Sequence, residues 1–355
     1  MTYDRYEPFR LSTVDADGGA GIYCEESGNA DGTAALWLHG GPGGSLGSGW
    51  YRTHFDPARF RLIGIDQRGT GRSRPAGGLT SGMDRQNTQQ LIDDIEAVRR
   101  TLGVDAWVVT GISWGTTLAL AYAQQHPQRV RALALMAVTT TSRGEVDWIT
   151  EGVGRLFPAE WDEFERASQR RSGERVVDAY ARLLASSDAS TREAAAAAWD
   201  RWENVHVSLD HPELRNEGHI GPDSREEFAR LVTHYWSNDA FMPGDNAILA
   251  RLDRIQHIPT TLVHGRRDIS GPAVTAWRLH RGLPQSALTI VEDEGHGGPR
   301  CQTLHATPGD EGQGTRAGIL LDPGIAVTVT DAPDDNLEHE DRNFVAEITV
   351  RPHCG

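Results

Sequence analysis

The stretch VVTGISWGTTLALAY, residues 108–122, places a serine between two glycines where a strand-like run meets a helix-like run. Val108 and Val109 favour a strand, and the small residues after Gly115 are compatible with a helix. In a G-x-S-x-G nucleophile elbow, Ser113 lies on a strained, tight turn, and the glycines avoid collisions that a Cβ would cause. The alternative is an ordinary glycine-rich turn, and the rest of the sequence distinguishes the two.

The segments on either side alternate between strand and helix patterns. Short apolar runs ending in Gly or Asp are typical of buried strands, and residues 87–103 repeat apolar side chains at helical spacing before Gly103. Repeated β-α-β alternation predicts a mainly parallel sheet covered by helices on both faces. Residues 19–32 fit an N-terminal antiparallel hairpin. The strands are predicted at 34–40, 60–66, 106–112 and 130–138, and the helices at 87–103 and 116–126.

The pattern changes between about residues 140 and 250, where tryptophans and charged residues occur in helix-like segments without a strand pattern. We interpret this region as a helical cap inserted over the sheet. The β-α-β pattern then returns, with strands over 258–268 and 286–297 around a helix over 272–283. The predicted division is a first core part (1–139), a cap domain (140–252), a second core part (253–299) and an atypical C-terminal extension (300–355).

Two further residues form a constellation with Ser113. A serine hydroxyl is a weak nucleophile near neutral pH, so it needs a base, and the base needs an orienting acid. Asp268 and His296 each lie at the C-terminal end of a predicted strand segment, so all three residues can meet at one edge of the sheet. Alone, such an Asp or His would be read as a cap or a surface residue. The order Ser, Asp, His is that of an α/β-hydrolase triad, and it predicts a serine hydrolase.

The segment LHGGPGG, residues 38–44, predicts an oxyanion hole. A glycine-rich loop after a strand can turn backbone N–H groups towards a substrate carbonyl. Gly41 and Trp114, the residue after the nucleophile, are the predicted donors. A merely flexible loop would not need His39 and Pro42 within it.

Composition argues against several other functions. The formal net charge of −15 and the pI of about 5.4 disfavour binding to nucleic acid or to an anionic membrane. The run 66–74 has Arg74 where a dinucleotide fingerprint needs its third glycine. The spacing of three histidines that lie close in sequence is not that of a metal site, so we expect no metal. The three cysteines have the spacing of neither a disulfide framework nor a C-x-x-C metal site. With no apolar signal segment or spanning run, we expect a cytoplasmic protein. The histidines considered for a metal site are His206, His211 and His219, and the three cysteines are Cys24, Cys301 and Cys354.

Five segments together resemble the proline iminopeptidases (prolyl aminopeptidases): LHGGPGG, DQRGTGRS, GISWGTTLALAYAQQHP, HGRRD and AWRLHRGLP. The resemblance extends from about residue 5 to 297. It implies a cofactor-independent α/β-hydrolase with a helical cap that removes N-terminal proline from peptides. Ser113, Asp268 and His296 would be nucleophile, acid and base. The resemblance also implies an oxyanion loop made of His39, Gly40, Gly41 and Pro42.

The same resemblance implies a substrate pocket, from which this sequence departs. The family holds the free amine of its substrate with acidic cap residues, and Glu203 in DRWEN matches one of them. Val232 in VTHYW stands where a second acid is expected, and Trp236 replaces a phenylalanine of that motif. Thr139 and Ile149 align where the family places aromatic residues around the proline ring. Proline specificity therefore stays open.

Two rival functions remain compatible with the sequence. One is an esterase, amidase or thioesterase that acts on a specialised small molecule with the same triad, and the other is a non-catalytic binding protein on this fold. The expected partner is a small peptide or a small-molecule amide or ester. After His296 the chain is rich in Gly, Pro and Asp, where the family continues with an amphipathic helix; only 324–331 and 344–350 have strand patterns. The tail fits an unrelated extension, a frame-shifted end or a disordered segment.

Overall fold

The fold is built around a central eight-stranded sheet. The computed structural model describes residues 3–74, 83–207, 209, 222–242, 244 and 247–296 together with four strands of the tail. The strands are β1 (Arg10–Ala16), β2 (Ala20–Gly28), β3 (Thr33–Leu38), β4 (Phe60–Ile65), β5 (Trp107–Ile112), β6 (Val130–Met136), β7 (Thr260–Gly265) and β8 (Ser286–Val291). Their order is β1-β2-β4-β3-β5-β6-β7-β8. The pairs β1–β2 and β2–β4 are antiparallel, and every other neighbouring pair is parallel. The predicted mainly parallel sheet is confirmed.

The two faces of the sheet have different covers. Along β3, Leu36 and Leu38 belong to one buried cluster and Ala35 and Trp37 to the other, as the two-residue period of a strand requires. The first cluster packs against α1 (Thr88–Thr101), α2 (Trp114–Gln125) and α8 (Val274–Gly282). In the described part of the chain, the second cluster is covered by the short 3₁₀ helix Trp50–His54 and its neighbours.

Between β6 and β7 the described residues form helices and no strand. These are α3 (Arg143–Asp147), α4 (Pro158–Ser168), α5 (Val176–Leu184), α6 (Ala189–Val207) and α7 (Pro222–Ser237), and we call them together the helical cap. The cap has its own aromatic core, in which the Phe164 ring stacks on Tyr180 at 4.6 Å and on Trp202 at 5.0 Å. Such contacts stabilise a helical layer from within. The exact domain boundaries stay a prediction.

Near the N terminus, the hairpin differs in extent from the prediction. Residues 19–32 contribute only β2, whose partner β1 lies upstream and pairs Arg10 with Glu26 and Ala16 with Ala20. The turn is formed by Asp17–Gly19, where Gly18 and Gly19 have φ values of 72° and 73°. Glycine adopts this left-handed conformation without steric cost, so the turn signal lies before residue 20.

In the tail, four strands form a second sheet in the order β10-β11-β12-β9. They are β9 (Leu304–His305), β10 (Ala317–Leu320), β11 (Ile325–Ala332) and β12 (Asn343–Val350). The strand patterns at 324–331 and 344–350 are confirmed as β11 and β12, which pair antiparallel with each other. The expectation that only these two segments form strands was wrong, because β9 and β10 also pair into this sheet.

Candidate active site

Ser113 lies at the sharp turn between β5 and α2. Its φ of 54° and ψ of −125° are unusual for a residue with a side chain. Gly111 and Gly115 are required by space: a Cβ on Gly115 would collide with the carbonyl oxygen of Leu38, and one on Gly111 with that of Gly115. The Ser113 N–H donates to Met136 O at 3.0 Å, which anchors the turn to β6. This is the geometry of a nucleophile elbow rather than an ordinary turn.

The structure brings the other two members of the predicted triad to Ser113. His296 Nε2 lies 3.0 Å from Ser113 Oγ, and His296 Nδ1 lies 2.8 Å from Asp268 Oδ2. The second carboxylate oxygen, Asp268 Oδ1, accepts a hydrogen bond from Gly271 N at 2.8 Å. The three residues follow β5, β7 and β8, so parallel strand ends bring together groups far apart in sequence.

The loops after β7 and β8 hold each other in place. The Arg267 N–H donates to Glu294 O at 2.9 Å, and a Cβ on Gly265 would collide with that same carbonyl group. The loop that carries Asp268 is thereby fixed against the loop that carries His296. A preorganised pair of this kind lowers the cost of orienting the base during a reaction.

The electrostatics of the site favour a working base. Burial by itself lowers the pKa of His296, but the charge of Asp268 and its hydrogen bond raise the pKa above the ordinary value. Burial would raise the pKa of Asp268, but His296, His264 and the Gly271 N–H hold it below the usual range. Asp268 is therefore ionised near neutral pH, as an orienting acid must be.

The predicted oxyanion loop lies directly beside the serine. A Cβ placed on Gly40 would be 3.3 Å from Ser113 Cβ, so the loop and the elbow are in van der Waals contact. Gly41 has a φ of 124°, and the bond from Gly41 to Pro42 is cis. Trp114 is the first residue of α2, so its N–H has no acceptor within the helix. The loop that contains Gly41 and the first turn of α2 therefore both lie next to Ser113.

Glu203 is buried in the helical cap at the edge of the site. Its Oε1 accepts a hydrogen bond from the Trp199 indole at 2.8 Å, and the Trp236 ring packs edge-on against Trp199 at 5.7 Å. Burial raises the pKa of Glu203 to about 8, and its field raises the pKa of His296 when it is charged. A desolvated carboxyl group of this kind is suited to receive a cationic ligand.

The other three predicted pocket residues have different surroundings. Val232 is completely buried on α7. Thr139 is fixed to the start of α2, since its carbonyl oxygen accepts from the hydroxyls of Thr116 and Thr117 at 2.9 and 3.0 Å. Ile149 O accepts from the Trp202 indole at 3.1 Å. Thr139 and Ile149 are only partly buried, whereas Val232 is part of the core.

Two neighbours of the site were missed by the sequence analysis. His264, in HGRRD, is buried behind Asp268 with Nε2 at 3.7 Å from Asp268 Oδ2 and 2.6 Å from Gly271 O. Glu145 accepts hydrogen bonds from Thr140 and from Thr275, linking the end of β6 to α8. A histidine inside an apolar strand and a capping-box glutamate were the available signals.

No cluster of metal-ligating side chains occurs among the residues that the structure describes. His206 Nδ1 lies 2.7 Å from Ser270 Oγ. The other two histidines considered for a metal, His211 and His219, lie outside the described residues, as do Cys301 and Cys354. Over the described ranges, no helix is long and apolar enough to cross a membrane.

Comparison with known proteins gives consistent matches. Residues 36–298 match the alpha/beta hydrolase fold family. The proline iminopeptidase of Arabidopsis thaliana is 39% identical over 297 residues, covering 83% of this chain and 77% of that protein. That of Neisseria meningitidis is 38% identical over 82% of this chain and 91% of its own length. A probable proline iminopeptidase of Streptomyces coelicolor is 40% identical, with coverages of 83% and 92%.

Solved structures confirm the fold. The proline iminopeptidase of Mycobacterium smegmatis aligns with a TM-score of 0.53 at 21% identity, covering 81% of this chain and 92% of that chain. An esterase from Exiguobacterium antarcticum aligns with a TM-score of 0.51 at 20% identity, with coverages of 81% and 93%. At these identities the likeness concerns the fold and not the substrate.

Proposed function

The chain belongs to the proline iminopeptidase family of the α/β-hydrolase fold, and we propose that it acts through an acyl-enzyme formed on Ser113. It is a prolyl aminopeptidase-like hydrolase, and its substrate is a small peptide or amide. We further propose that it releases an N-terminal proline or small apolar residue. The observation that carries the acyl-enzyme proposal is the continuous hydrogen-bond chain from Ser113 Oγ through His296 to Asp268.

Each group has one role in the proposed reaction. His296 Nε2 takes the hydroxyl proton as Ser113 Oγ attacks the carbonyl carbon, and Asp268 stabilises the imidazolium that forms. The N–H groups of Gly41 and Trp114 bind the negative oxygen of the tetrahedral intermediate. His296 then protonates the leaving amine, and the C–N bond breaks to give the acyl-enzyme. In the second half, His296 takes a proton from water as the water attacks the ester carbon. His296 then protonates Ser113 Oγ as the ester bond breaks, which releases the amino acid and restores Ser113.

Glu203 is the proposed receptor for the substrate amine. A free carboxyl with a pKa of about 8 and an N-terminal amine with an ordinary pKa near 8 can exchange one proton to form an ion pair. That pair forms in a desolvated pocket, where it is screened little by water. Trp236 supplies a flat apolar surface near this carboxyl group, because its ring packs against Trp199, whose indole donates to Glu203.

One observation favours the alternative of an esterase or amidase for a specialised small molecule. Val232 is apolar and buried where a second acidic residue is expected by resemblance, so the amine would face one carboxyl at these two positions instead of two. A pocket of this kind discriminates less strongly against neutral groups beside the scissile bond. The triad chemistry is the same for both functions.

A substrate panel tests the proposal and its alternative side by side. We expect cleavage of prolyl and small apolar aminoacyl arylamides at low efficiency, together with activity on neutral acyl esters. A serine-directed fluorophosphonate should label the wild-type protein at Ser113, with Ser113→Ala as the control. Ester hydrolysis without arylamide cleavage would favour the alternative, and labelling at another serine would overturn the assignment of the nucleophile.

A further inference from the structure

We infer that Gln67 positions the oxyanion hole by tying the oxyanion loop to the first residue of α2. The hydrogen bonds of Gln67 reach His39 and Trp114, so its role would be exerted through these two residues. We call these three residues the Gln67 clamp. The inference rests on the proposed function, because it concerns the tetrahedral intermediate formed on Ser113.

The side-chain amide of Gln67 bridges the two segments that supply the proposed donors. Its Nε2 donates to the carbonyl oxygen of His39 at 2.8 Å, and its Oε1 accepts from the Trp114 indole at 2.9 Å. The orientation of the amide is unambiguous, because a carbonyl only accepts and an indole N–H only donates. The backbone N–H of Gln67 also donates to His39 Nε2 at 3.0 Å. Glutamine thus contacts the loop twice and the helix once.

The His39 ring carries this constraint further along the loop. Because Nε2 accepts from Gln67, the ring proton is on Nδ1, which donates to Gly40 O at 2.9 Å. Burial lowers the pKa of His39, so the ring stays neutral and can act as an acceptor. Gly44 N donates to the same Gly40 oxygen at 3.3 Å, which closes the loop. The conformation around Gly41 is therefore set by contacts that begin at Gln67.

On the other side, the clamp holds the start of α2. The Trp114 ring is bound by Gln67 at its indole nitrogen and packs edge-on against Tyr235 of α7, at 5.0 Å between ring centres. The backbone N–H of Trp114 is one proposed donor, and that of Gly41 is the other. Two donors stabilise an oxyanion only when both reach it at about 2.7–3.1 Å. In this inference, the Gln67 amide sets the distance between the backbone N–H groups of Gly41 and Trp114.

The clamp lies away from solvent. The exposed fractions are 3% for Gln67, 3% for His39 and 1% for Trp114. Water cannot readily replace a hydrogen bond lost at such a site, so removing the amide leaves buried partners unsatisfied. The loop and the helix would then relax independently.

The test separates positioning from stability. Gln67→Ala should lower kcat by about 10–100-fold while KM stays within about threefold, since the amide acts on the transition state and not on substrate binding. Affinity for the boronic acid analogue of proline, whose serine adduct places an oxygen in the hole, should fall by the same factor as kcat/KM. Inhibition by free proline should be unchanged.

Matched variants control for the loss of a buried amide. Gln124 is also buried, and its Nε2 donates to Ile248 O at 2.8 Å, so Gln124→Ala removes a comparable side chain away from the site. We expect Gln124→Ala to lower the melting temperature and to keep kcat. Trp114→Phe removes the indole donor and part of the buried ring but keeps the backbone N–H, and it should lower kcat by a smaller factor. Combined with Gln67→Ala, it should add little further loss, because both changes break the same bridge.

Any of three results with Gln67→Ala would overturn the inference. One is a kcat for Gln67→Ala within threefold of that for Gln124→Ala. The second is a loss carried by KM, and the third is a loss of kcat with unchanged affinity for the boronic acid. If Gln67→Ala does not fold, Trp114→Phe decides, and an unchanged kcat in that variant also overturns it. Fluorophosphonate labelling of Ser113 separates this from the proposed function: labelling of the wild type persists if only the clamp is wrong.

Discussion

The carboxyl edge of the sheet and the helical cap hold their proposed functional groups in different ways. At the sheet edge, Ser113, Asp268 and His296 are fixed by backbone turns and by mutual hydrogen bonds. In the cap, Glu203 is held by one indole and surrounded by aromatic side chains. Backbone turns tolerate little variation, whereas side chains on a helix can be exchanged. The proposed chemistry therefore depends on the sheet edge, and the proposed selectivity depends on the cap.

Removing the nucleophile gives the largest expected effect and tests the sheet edge alone. Ser113→Ala should lower kcat by about 10⁴-fold or more on every substrate, amide or ester. The melting temperature should change little, because one hydroxyl at this turn contributes little packing. Steady-state kinetics and thermal unfolding check both statements. Residual activity near that of the wild type would show that the chemistry lies elsewhere.

Replacing the orienting acid gives the next largest effect, with a pH signature. Asp268→Asn should lower kcat by about 10³–10⁴-fold. In the wild type the pKa of His296 is raised, so activity should be lost as pH falls through a value above 6.5, where the base becomes protonated. Loss of the Asp268 charge removes the main cause of that rise, so the acid limb of kcat/KM should move to lower pH. An acid limb at the same pH in both proteins would contradict this account.

A change in the cap should affect selectivity and leave the chemistry intact. Glu203→Gln should lower kcat/KM about 100-fold on free-amine substrates and less than about threefold on N-acylated ones, because only the former bear the amine. Both substrate classes should be measured on the same preparation. The ratio of the two kcat/KM values then cancels any difference in the amount of active protein. Equal losses would mean that Glu203 is structural.

The converse change sharpens the same test. Val232→Glu introduces an acid at a fully buried position, so it will cost stability unless the side chain reaches the substrate pocket. We expect selectivity for free amines to improve by about tenfold if the position faces the substrate. A lower melting temperature with unchanged selectivity would show that Val232 belongs only to the core.

The smallest effect concerns the scaffold and should leave activity unchanged. His54 is buried beside Trp50, and within the described residues neither ring nitrogen has a hydrogen-bond partner. Burial lowers its pKa to about 4 from 6.5, so the unfolded chain binds the proton more readily. The folded state therefore loses stability as pH falls from 6.5 towards 4, by about 1.4 kcal/mol at pH 5.5.

His54→Phe removes this titration while it keeps an aromatic ring of similar size. The free energy of unfolding of the variant, relative to wild type, should rise by that amount between pH 7.5 and 5.5, as measured by urea denaturation at both values. A difference independent of pH would mean that His54 is not held neutral by the fold. In both cases the kcat of His54→Phe should equal that of the wild type, because His54 lies outside the active site.

Local patterns in the sequence predicted most strands and helices of the main sheet and the three residues of the proposed triad. Helix α1 begins after Asn87, whose side chain accepts from Gln90 N, and ends close to Gly103, as capping signals indicated. Asp268 and His296 were identified because the ends of parallel strands share one edge. Each of these inferences depends on neighbours within a few residues, or on a rule of topology that any parallel sheet obeys.

Only the tertiary structure decided how those groups are supported. Gln67 lies 47 residues before Trp114 along the chain, and neither the DQRGTGRS motif nor its spacing indicates that their side chains meet. The raised pKa of Glu203 and the complete burial of Val232 likewise depend on which helices pack around them. The periodicity of a segment reports which of its faces is buried, because that follows from local backbone geometry. The partner that meets a side chain on that face depends on long-range packing, which the three-dimensional fold alone specifies.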